Sequence, residues 1–293
     1  MGNAAAHPES ARESKPTLYV VATPIGNLRD VSLRALDVLK SVDIVAAEDT
    51  RVTARLLNHY GIANKLIALH EHNEKRMVRQ VLDLLAAGRP VALVSDAGTP
   101  AVSDPGAQLV AAVIDAGYRV MPVPGANAAV TALSAAGLAA PHFLFYGFLP
   151  ARAAERKREL AKLGSLPYAL VFYEAPHRVV DSIADLRAAF GDARRIVIAR
   201  ELTKLYETIH ACTLAEASIW IEKSADHRKG EFVLILDSPV ATHTGEEAGQ
   251  AQRVLEILLA ELPLKQAVAL TMKITGSRKN ELYRLALALR GEQ

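Results

Sequence analysis

Short apolar runs alternate along the first half of the chain with longer stretches in which apolar residues recur every three or four positions. The runs Leu18–Ala22, Ile44–Ala47, Leu66–Leu69, Val91–Ser95 and Val120–Val123 have the length and content of buried strands. The intervening stretches are punctuated as helices. Ser32 precedes one that runs to about Lys40, and Asn73 opens one that ends at Gly88. In VSDAGTPAVSDPG (94–106), Asp104 reads as a helix cap and Pro105 as the first helical residue, with Gly117 just past the far end. Strand–helix alternation of this kind predicts a mainly parallel sheet covered by helices on both faces.

The second half has another rhythm. Strands are predicted at Phe143–Phe148, Ala169–Tyr173, Ile196–Ala199, Tyr206–Ala211 and Glu231–Leu236. A short helix near Leu214–Glu222 joins the last two, which predicts them as antiparallel neighbours. The pattern divides the chain into an N-terminal α/β domain over 17–125, a second α/β domain over 126–238 and a helical C-terminal region over 245–293. The tract at 238–249 reads as a linker, and the helical region breaks at Pro263 and turns at Thr275-Gly276-Ser277. Residues 1–16 are polar and read as a flexible tail without the apolar core of a secretory signal. No Asp, Glu, Lys or Arg occurs from Val120 to Ala151, a length that can span a bilayer. Pro122, Pro124, Gly125, Asn127, Gly137 and Pro141 interrupt it, so it reads as buried strand, helix and strand, and no membrane association is expected.

The loops that follow the first five strands are TPIGNLRD (23–30), EDTR (48–51), HEHNE (70–74), SDAGTP (95–100) and PGAN (124–127). All five are polar or glycine-rich, and they fall at the carboxyl ends of the strands, where open α/β folds bind ligands. No G-x-G-x-x-G and no G-x-x-x-x-G-K-[ST] is present, which argues against a dinucleotide dehydrogenase and a P-loop NTPase.

Charge and cysteine content narrow the partners. The net charge is +2, so any nucleic-acid contact must be local. Residues 151–163 carry five Lys or Arg against two Glu, and 265–290 carry six against one. Lys273, Arg278, Lys279 and Arg284 surround the turn TGSR and are candidate RNA-binding residues, against the alternative of a solvated helix surface. The single cysteine, Cys212, excludes an internal disulfide and a zinc cluster of several thiolates, and fits a reducing cytoplasm. Carboxylates are plentiful, but no ligand spacing points to a metal.

Eight segments, in order, carry a resemblance: LYVVATPIGNLRDVSLRAL, VAAEDTRVTARLL, ALVSDAGTPAVSDPGAQLV, PVPGANAAVTAL, FYGFLP, YEAPHRV, RELTKLYET and KGEFVLIL. Together they resemble the small-subunit ribosomal RNA methyltransferase I family of the tetrapyrrole methylase superfamily, over roughly Thr17 to Leu289. The resemblance implies two α/β domains with S-adenosylmethionine in the cleft between them, plus a small helical appendage. It implies methylation of the ribose 2′-hydroxyl of a cytidine in the decoding region of 16S rRNA, by a cytoplasmic homodimer acting on the small ribosomal subunit. The matching cofactor-binding positions are Pro24, Gly26, Asp96, Ala97, Gly98, Thr99, Pro124, Gly125 and Ala126.

A ribose hydroxyl needs its proton shared before it attacks a methyl group. Glu48, Asp49, Glu174, His177 and Glu201 are candidate proton acceptors, and Arg51 and Lys204 are candidates to orient the hydroxyl or a phosphate. Each has a plainer alternative: EDTR as an internal salt-bridge cluster, His177 as a helix cap. Two other functions stay open at this level. One is methylation of a tetrapyrrole or other small molecule on the same fold; the other is non-catalytic ribosome assembly.

Overall fold

Two five-stranded sheets organise the compact unit that ends at Asp237 in this computed structural model, which describes residues 16–70, 73–138, 142–164, 166–239 and 246–290. The expected tail, apart from Pro16, lies outside the described residues, as do positions 71 and 72 of HEHNE and 240–245 of the expected linker.

The first sheet contains β1 (Thr17–Val21), β2 (Ile44–Ala47), β3 (Lys65–Ala68), β4 (Val91–Val94) and β5 (Arg119–Val123) in the order β3-β2-β4-β1-β5. Every pairing is parallel. Strands β2 and β4 are buried at all positions, as strands covered on both faces must be. Helices α1 (Leu33–Ser41) and α2 (Thr50–His59) cover one face, where Leu39 and Leu57 pack with Val21, Val45 and Ala92. Helices α3 (Glu74–Ala86) and α4 (Ala107–Asp115) cover the other, where Val81, Leu85 and Leu109 pack with Leu18 and Leu93. Ser32 caps α1 as its position suggested, its hydroxyl accepting the Ala35 N–H at 3.1 Å.

The launch of α4 departs from expectation. Asp104 does not cap it and Pro105 lies before it. The N-cap is Gly106, at φ +125°, and it makes no side-chain cap bond. That φ strains any L side chain, and a Cβ on Gly106 would also stand 2.7 Å from Leu93 Cδ2, so glycine suits the position. The cap comes from elsewhere: the buried Glu74 carboxylate on α3 accepts the N–H groups of Gly106, Gln108 and Leu109.

After α5 (Ala128–Ala135) come β6 (Phe143–Phe148), α6 (Ala153–Leu163), β7 (Ala169–Glu174), α7 (Val179–Phe190), β8 (Arg195–Arg200), β9 (Thr208–Thr213), α8 (Leu214–Lys223) and β10 (Phe232–Leu236). Their sheet runs β6-β7-β10-β8-β9, with β6–β7 parallel and the other pairs antiparallel. The expectation that the last two strands are neighbours is therefore wrong. Strand β10 inserts between β7 and β8, while β9 pairs with β8 at the edge. Burial explains the placement. FVLIL in β10 is buried throughout and needs covered neighbours on both sides, whereas TIHACT in β9 is half-exposed along its length. Helices α6, α7 and α8 cover one face of this sheet around Leu160, Ile183 and Ala217. On the other face α5 packs Ala129 and Ala132 against Val171, Val197 and Val233, joined by Ile25 from the loop after β1. The charge-free stretch from Val120 thus contributes to β5, α5 and β6. Among the described residues no helix is long and apolar enough to cross a membrane.

Residues from Ser238 form a separate compact unit. Its helices α9 (Glu246–Glu261), α10 (Leu264–Thr275) and α11 (Lys279–Arg290) share a small core of Leu255, Val268, Leu282 and alanines 251, 267 and 286. Helix α10 starts after Pro263 and ends at Gly276 in the left-handed conformation, as the break and turn in the sequence suggested.

Candidate active site

The loops at the carboxyl ends of adjacent strands are tied to one another through main chain. Thr23 and Gly98 exchange two backbone bonds, at 2.8 and 3.1 Å, and the Thr23 hydroxyl donates to Ser95 O. Thr99 Oγ1 donates to Ala126 O at 3.1 Å. The loops after β1, β4 and β5 are thereby one assembly. The loop after β2 joins it, because Asp49 N–H donates to Asp96 Oδ1 at 2.9 Å.

Above this assembly lies a cavity of about 420 Å³. One wall consists of Glu48, Asp96, Ala97, Gly98, Thr99, Val102 and Asp104. The opposite wall is largely apolar and belongs to the second sheet and its loops: Phe148, Tyr173, Leu202 and Val233, with Ile25 and Ala128 between. Phe148 and Tyr173 are in edge contact at 5.6 Å, and the Tyr173 hydroxyl accepts the Ala129 N–H at 3.2 Å, fixing that wall to the start of α5.

The three acidic side chains of the first wall share an electrostatic signature. Burial pushes the Glu48 carboxyl above the usual carboxylate range; the Asp96 N–H opposes this, and the charges of Asp104 and Asp96 add to it. Burial likewise raises Asp96, with the Asp49 N–H opposing and the Asp49 charge adding, and raises Asp104, with the Ser95 hydroxyl opposing and Asp96 adding. All three carboxyls of this wall are thus raised by burial, with a neighbouring carboxylate adding in each case. Among the described residues no group of three or more His, Cys, Asp or Glu is disposed to hold a metal ion.

The candidate residues separate on this geometry. Glu48, Asp96, Ala97, Gly98 and Thr99 line the cavity. Pro24, Gly26, Pro124, Gly125 and Ala126 are absent from its lining; their neighbours Ile25, Asn127 and Ala128 are present. Among these five, Gly26 and Gly125 hold close approaches between loops, and Ala126 O accepts from Thr99. A Cβ on Gly26 would lie 2.9 Å from Leu202 O, so the first loop seats directly on the loop after β8. Gly125 passes Ala22 as closely, and Asn127 caps α5 through the Val130 N–H.

Asp49 caps α2 and is bound by Arg51, whose guanidinium holds its carboxyl down at about 2, and it lies outside the cavity lining. The Arg51 side chain is 85% exposed and lies outside the cavity lining. The EDTR cluster is thus partly the internal ion pair of the plainer alternative, with Glu48 the member that faces the cavity. Glu174 contributes to the wall, but its carboxylate is fully buried. It accepts from the Ser182 hydroxyl at 2.5 Å and from the Ala175 N–H at 2.8 Å, with Arg178 at 3.3 Å. Those contacts remove it as a proton acceptor. His177 is exposed and neither lines the cavity nor caps α7, whose N-cap position is Arg178. Lys204 sits at the rim, clamped between Glu201 Oε1 at 2.9 Å and Glu231 Oε2 at 2.8 Å; Glu231 itself lines the cavity.

Asp104, Phe148 and Tyr173 are among the wall residues that reasoning from sequence did not place in the site. The motifs SDPG, FYGFLP and YEAPHR contain them, but nothing local says which side chain faces the cavity. In the separate C-terminal unit, Lys273, Arg278, Lys279 and Arg284 are all exposed, on α10, α11 and the turn between them.

Comparison with known proteins agrees with this architecture. Residues 17–218 match the family Tetrapyrrole (Corrin/Porphyrin) Methylases, and residues 245–290 match the RsmI C-terminal HTH domain. A relative in Pseudomonas aeruginosa named Ribosomal RNA small subunit methyltransferase I is 51% identical, over 95% of this chain and 99% of the relative. A relative of the same name in Escherichia coli O157:H7 is 49% identical, over 97% of this chain and 99% of the relative. Among solved structures, the cobalamin biosynthetic enzyme cobalt precorrin-4 methyltransferase superposes with a TM-score of 0.59 at 17% identity, covering 78% of this chain and 97% of that one. The methyltransferase CobJ superposes at 0.58 with 20% identity, covering 76% and 95%. At these identities the two structures share the fold.

Proposed function

The chain belongs to the tetrapyrrole methylase family, and on that footing we propose that it is an S-adenosylmethionine-dependent rRNA methyltransferase. Its target in this reading is the ribose 2′-hydroxyl of a cytidine in the decoding region of 16S rRNA, within the small ribosomal subunit. Its working form is a cytoplasmic homodimer. The relatives' shared name supports the rRNA substrate; the nucleotide, the atom and the dimer rest on the family resemblance.

The observation that carries the reading is the acidic wall of Glu48, Asp96 and Asp104 facing an apolar one across about 420 Å³. A volume of this order suits a small cofactor. S-adenosylmethionine combines a cationic centre, an amino group and a ribose diol with a flat purine, and both walls fit that mixture. Asp96 uses Oδ1 on the Asp49 N–H and keeps Oδ2 for a ribose hydroxyl or an amino group. Ala97, Gly98 and Thr99 offer main chain beside it, and Ile25, Ala128 and Val233 offer apolar surface for the purine. When bound, the cofactor supplies a methyl group activated by the adjacent positive sulfur.

Of the candidate bases, Glu48 alone combines a place on the cavity wall with a raised carboxyl. A base nearer neutrality accepts a hydroxyl proton more effectively, a contribution of about 10²–10⁴-fold in rate. Glu48 therefore takes the 2′-hydroxyl proton as the oxygen acquires the methyl group. The apolar wall excludes water from the reacting atoms. Lys273, Arg278, Lys279 and Arg284 of the C-terminal unit contact RNA phosphates.

The test is methyl transfer from labelled S-adenosylmethionine to undermethylated small ribosomal subunits, followed by nuclease mapping. Label on the 2′-oxygen of a 16S cytidine supports the reading. Label on a base, or cofactor binding with no RNA product, overturns it.

A further inference from the structure

Glu74 begins α3, and only 5% of its surface is exposed. Its Oε1 accepts three main-chain N–H groups at the start of α4: Gly106 at 3.1 Å, Gln108 at 3.0 Å and Leu109 at 3.2 Å. Helix N-termini carry unsatisfied N–H groups and the positive end of the helix dipole. Here they provide the charge compensation that a buried carboxylate requires.

The anchored segment is one the chain adopts reluctantly. Ala101 and Ser103 each have φ of +65°, and Gly106 has +125°, so three residues in six lie outside the ordinary L-residue regions. Within that segment Val102 and Asp104 line the cavity. Its own main chain contributes little restraint before α4, a 3.4 Å bond from Val102 N–H to Thr99 O. Gly147 crosses over Ser103 so closely that a Cβ would stand 2.7 Å from its hydroxyl. The segment is thus pressed from above by β6 and held at its far end by Glu74.

We propose that Glu74 is a positioning residue for the cofactor wall: through the first turn of α4 it fixes residues 101–106 so that Asp104 faces the cavity beside Asp96 and Glu48. The inference rests on the reading of that cavity as the cofactor site. It assigns no contact between Glu74 and substrate.

A double-mutant cycle on the full-length protein tests it, with S-adenosylhomocysteine binding measured by titration calorimetry at a temperature where all variants are folded. Loss of a ligand hydrogen bond to a charged group such as Asp104 costs on the order of 10- to 100-fold in affinity. Glu74→Ala is therefore expected to weaken binding about 10- to 100-fold. Glu74→Gln keeps an acceptor oxygen and should restore most of the loss. In an Asp104→Asn background, Glu74→Ala should cost far less than alone, because its effect passes through Asp104. Leu186→Ala, in the core behind the second sheet, should lower Tm and leave the affinity unchanged. If Glu74→Ala does not accumulate, Glu74→Asp, with its shorter reach, takes its place in the cycle. Wild-type affinity in the Glu74 variant, or losses that simply add with Asp104→Asn, would overturn the proposal while leaving the cofactor reading intact. Absence of binding by the wild-type protein would instead overturn that reading, and the positioning role with it.

Discussion

Asp96 accepts the main-chain N–H of Asp49 at 2.9 Å, and so joins the loop after β2 to the loop after β4 from its place in the cavity wall. The bond gives Asp96 two separable duties. Asp96→Asn keeps an oxygen for the Asp49 N–H and removes the charge. It should lose S-adenosylhomocysteine affinity and, by relieving repulsion from Asp49 and the cost of burial, raise Tm by about 1–3 °C. Asp96→Ala should lose both affinity and stability. Calorimetry of the two variants side by side checks the separation; equal behaviour would remove the loop-joining role.

The raised carboxyls of Glu48, Asp96 and Asp104 set a pH dependence with opposite signs for stability and binding. Each binds a proton more readily in the folded than in the unfolded chain. Together they reduce stability once pH rises above their folded values, and the penalty disappears as pH falls through them. Attraction for a cationic ligand needs the ionised forms. Affinity for S-adenosylmethionine should therefore begin to fall on acidification while pH is still above the ordinary carboxylate values of about 4. Titration calorimetry across that range, with Tm followed in parallel, should show affinity falling while the contribution of these carboxyls to stability rises.

Gly26 occupies a contact with no room for a side chain. The Cβ of Gly26→Ala would lie 2.6 Å from Lys204 Cγ and 2.9 Å from Leu202 O. The lysine stem can shift, but the carbonyl cannot move without carrying Leu202, a cavity residue, with it. A loss of about 1–3 kcal/mol in chemical denaturation is expected, with weaker cofactor binding. A stable variant of full affinity would show that the two loops separate freely.

The C-terminal unit offers a test by salt dependence. Each phosphate contact removed lowers the slope of log K against log salt by about 0.7–0.9. Replacing Lys273, Arg278, Lys279 and Arg284 together by Ala should flatten the slope for small-subunit binding, weaken RNA affinity and leave S-adenosylhomocysteine binding unchanged. An unaltered slope would assign these side chains to the solvated surface.

Much of this protein was legible along the chain. Among the described residues the ten strands fall within a few residues of apolar runs, most closely at β2, β4 and β10, because a strand buried on both faces has to be apolar almost continuously. The loops at their carboxyl ends were visible as polar, glycine-rich interruptions, and Asp96, Ala97, Gly98 and Thr99 do line the cavity. The pairing of β9 was less accessible. Its neighbour in sequence is β10, but burial of every residue in FVLIL sends β10 two places inward, and such competition for covered positions is settled by the whole sheet.

Local pattern determined the elements, their order and the polar edge where a ligand would bind, since each depends on residues within one turn or one strand. Tertiary structure alone decided which carboxylates share the cavity and which are spent elsewhere. Glu174 is committed to Ser182 on α7, and Asp104 is released from capping because Glu74, thirty-two residues before Gly106, meets the amides of α4. A carboxylate's duty depends on which donors reach it first, and those donors are brought to it by the packing of distant helices and strands.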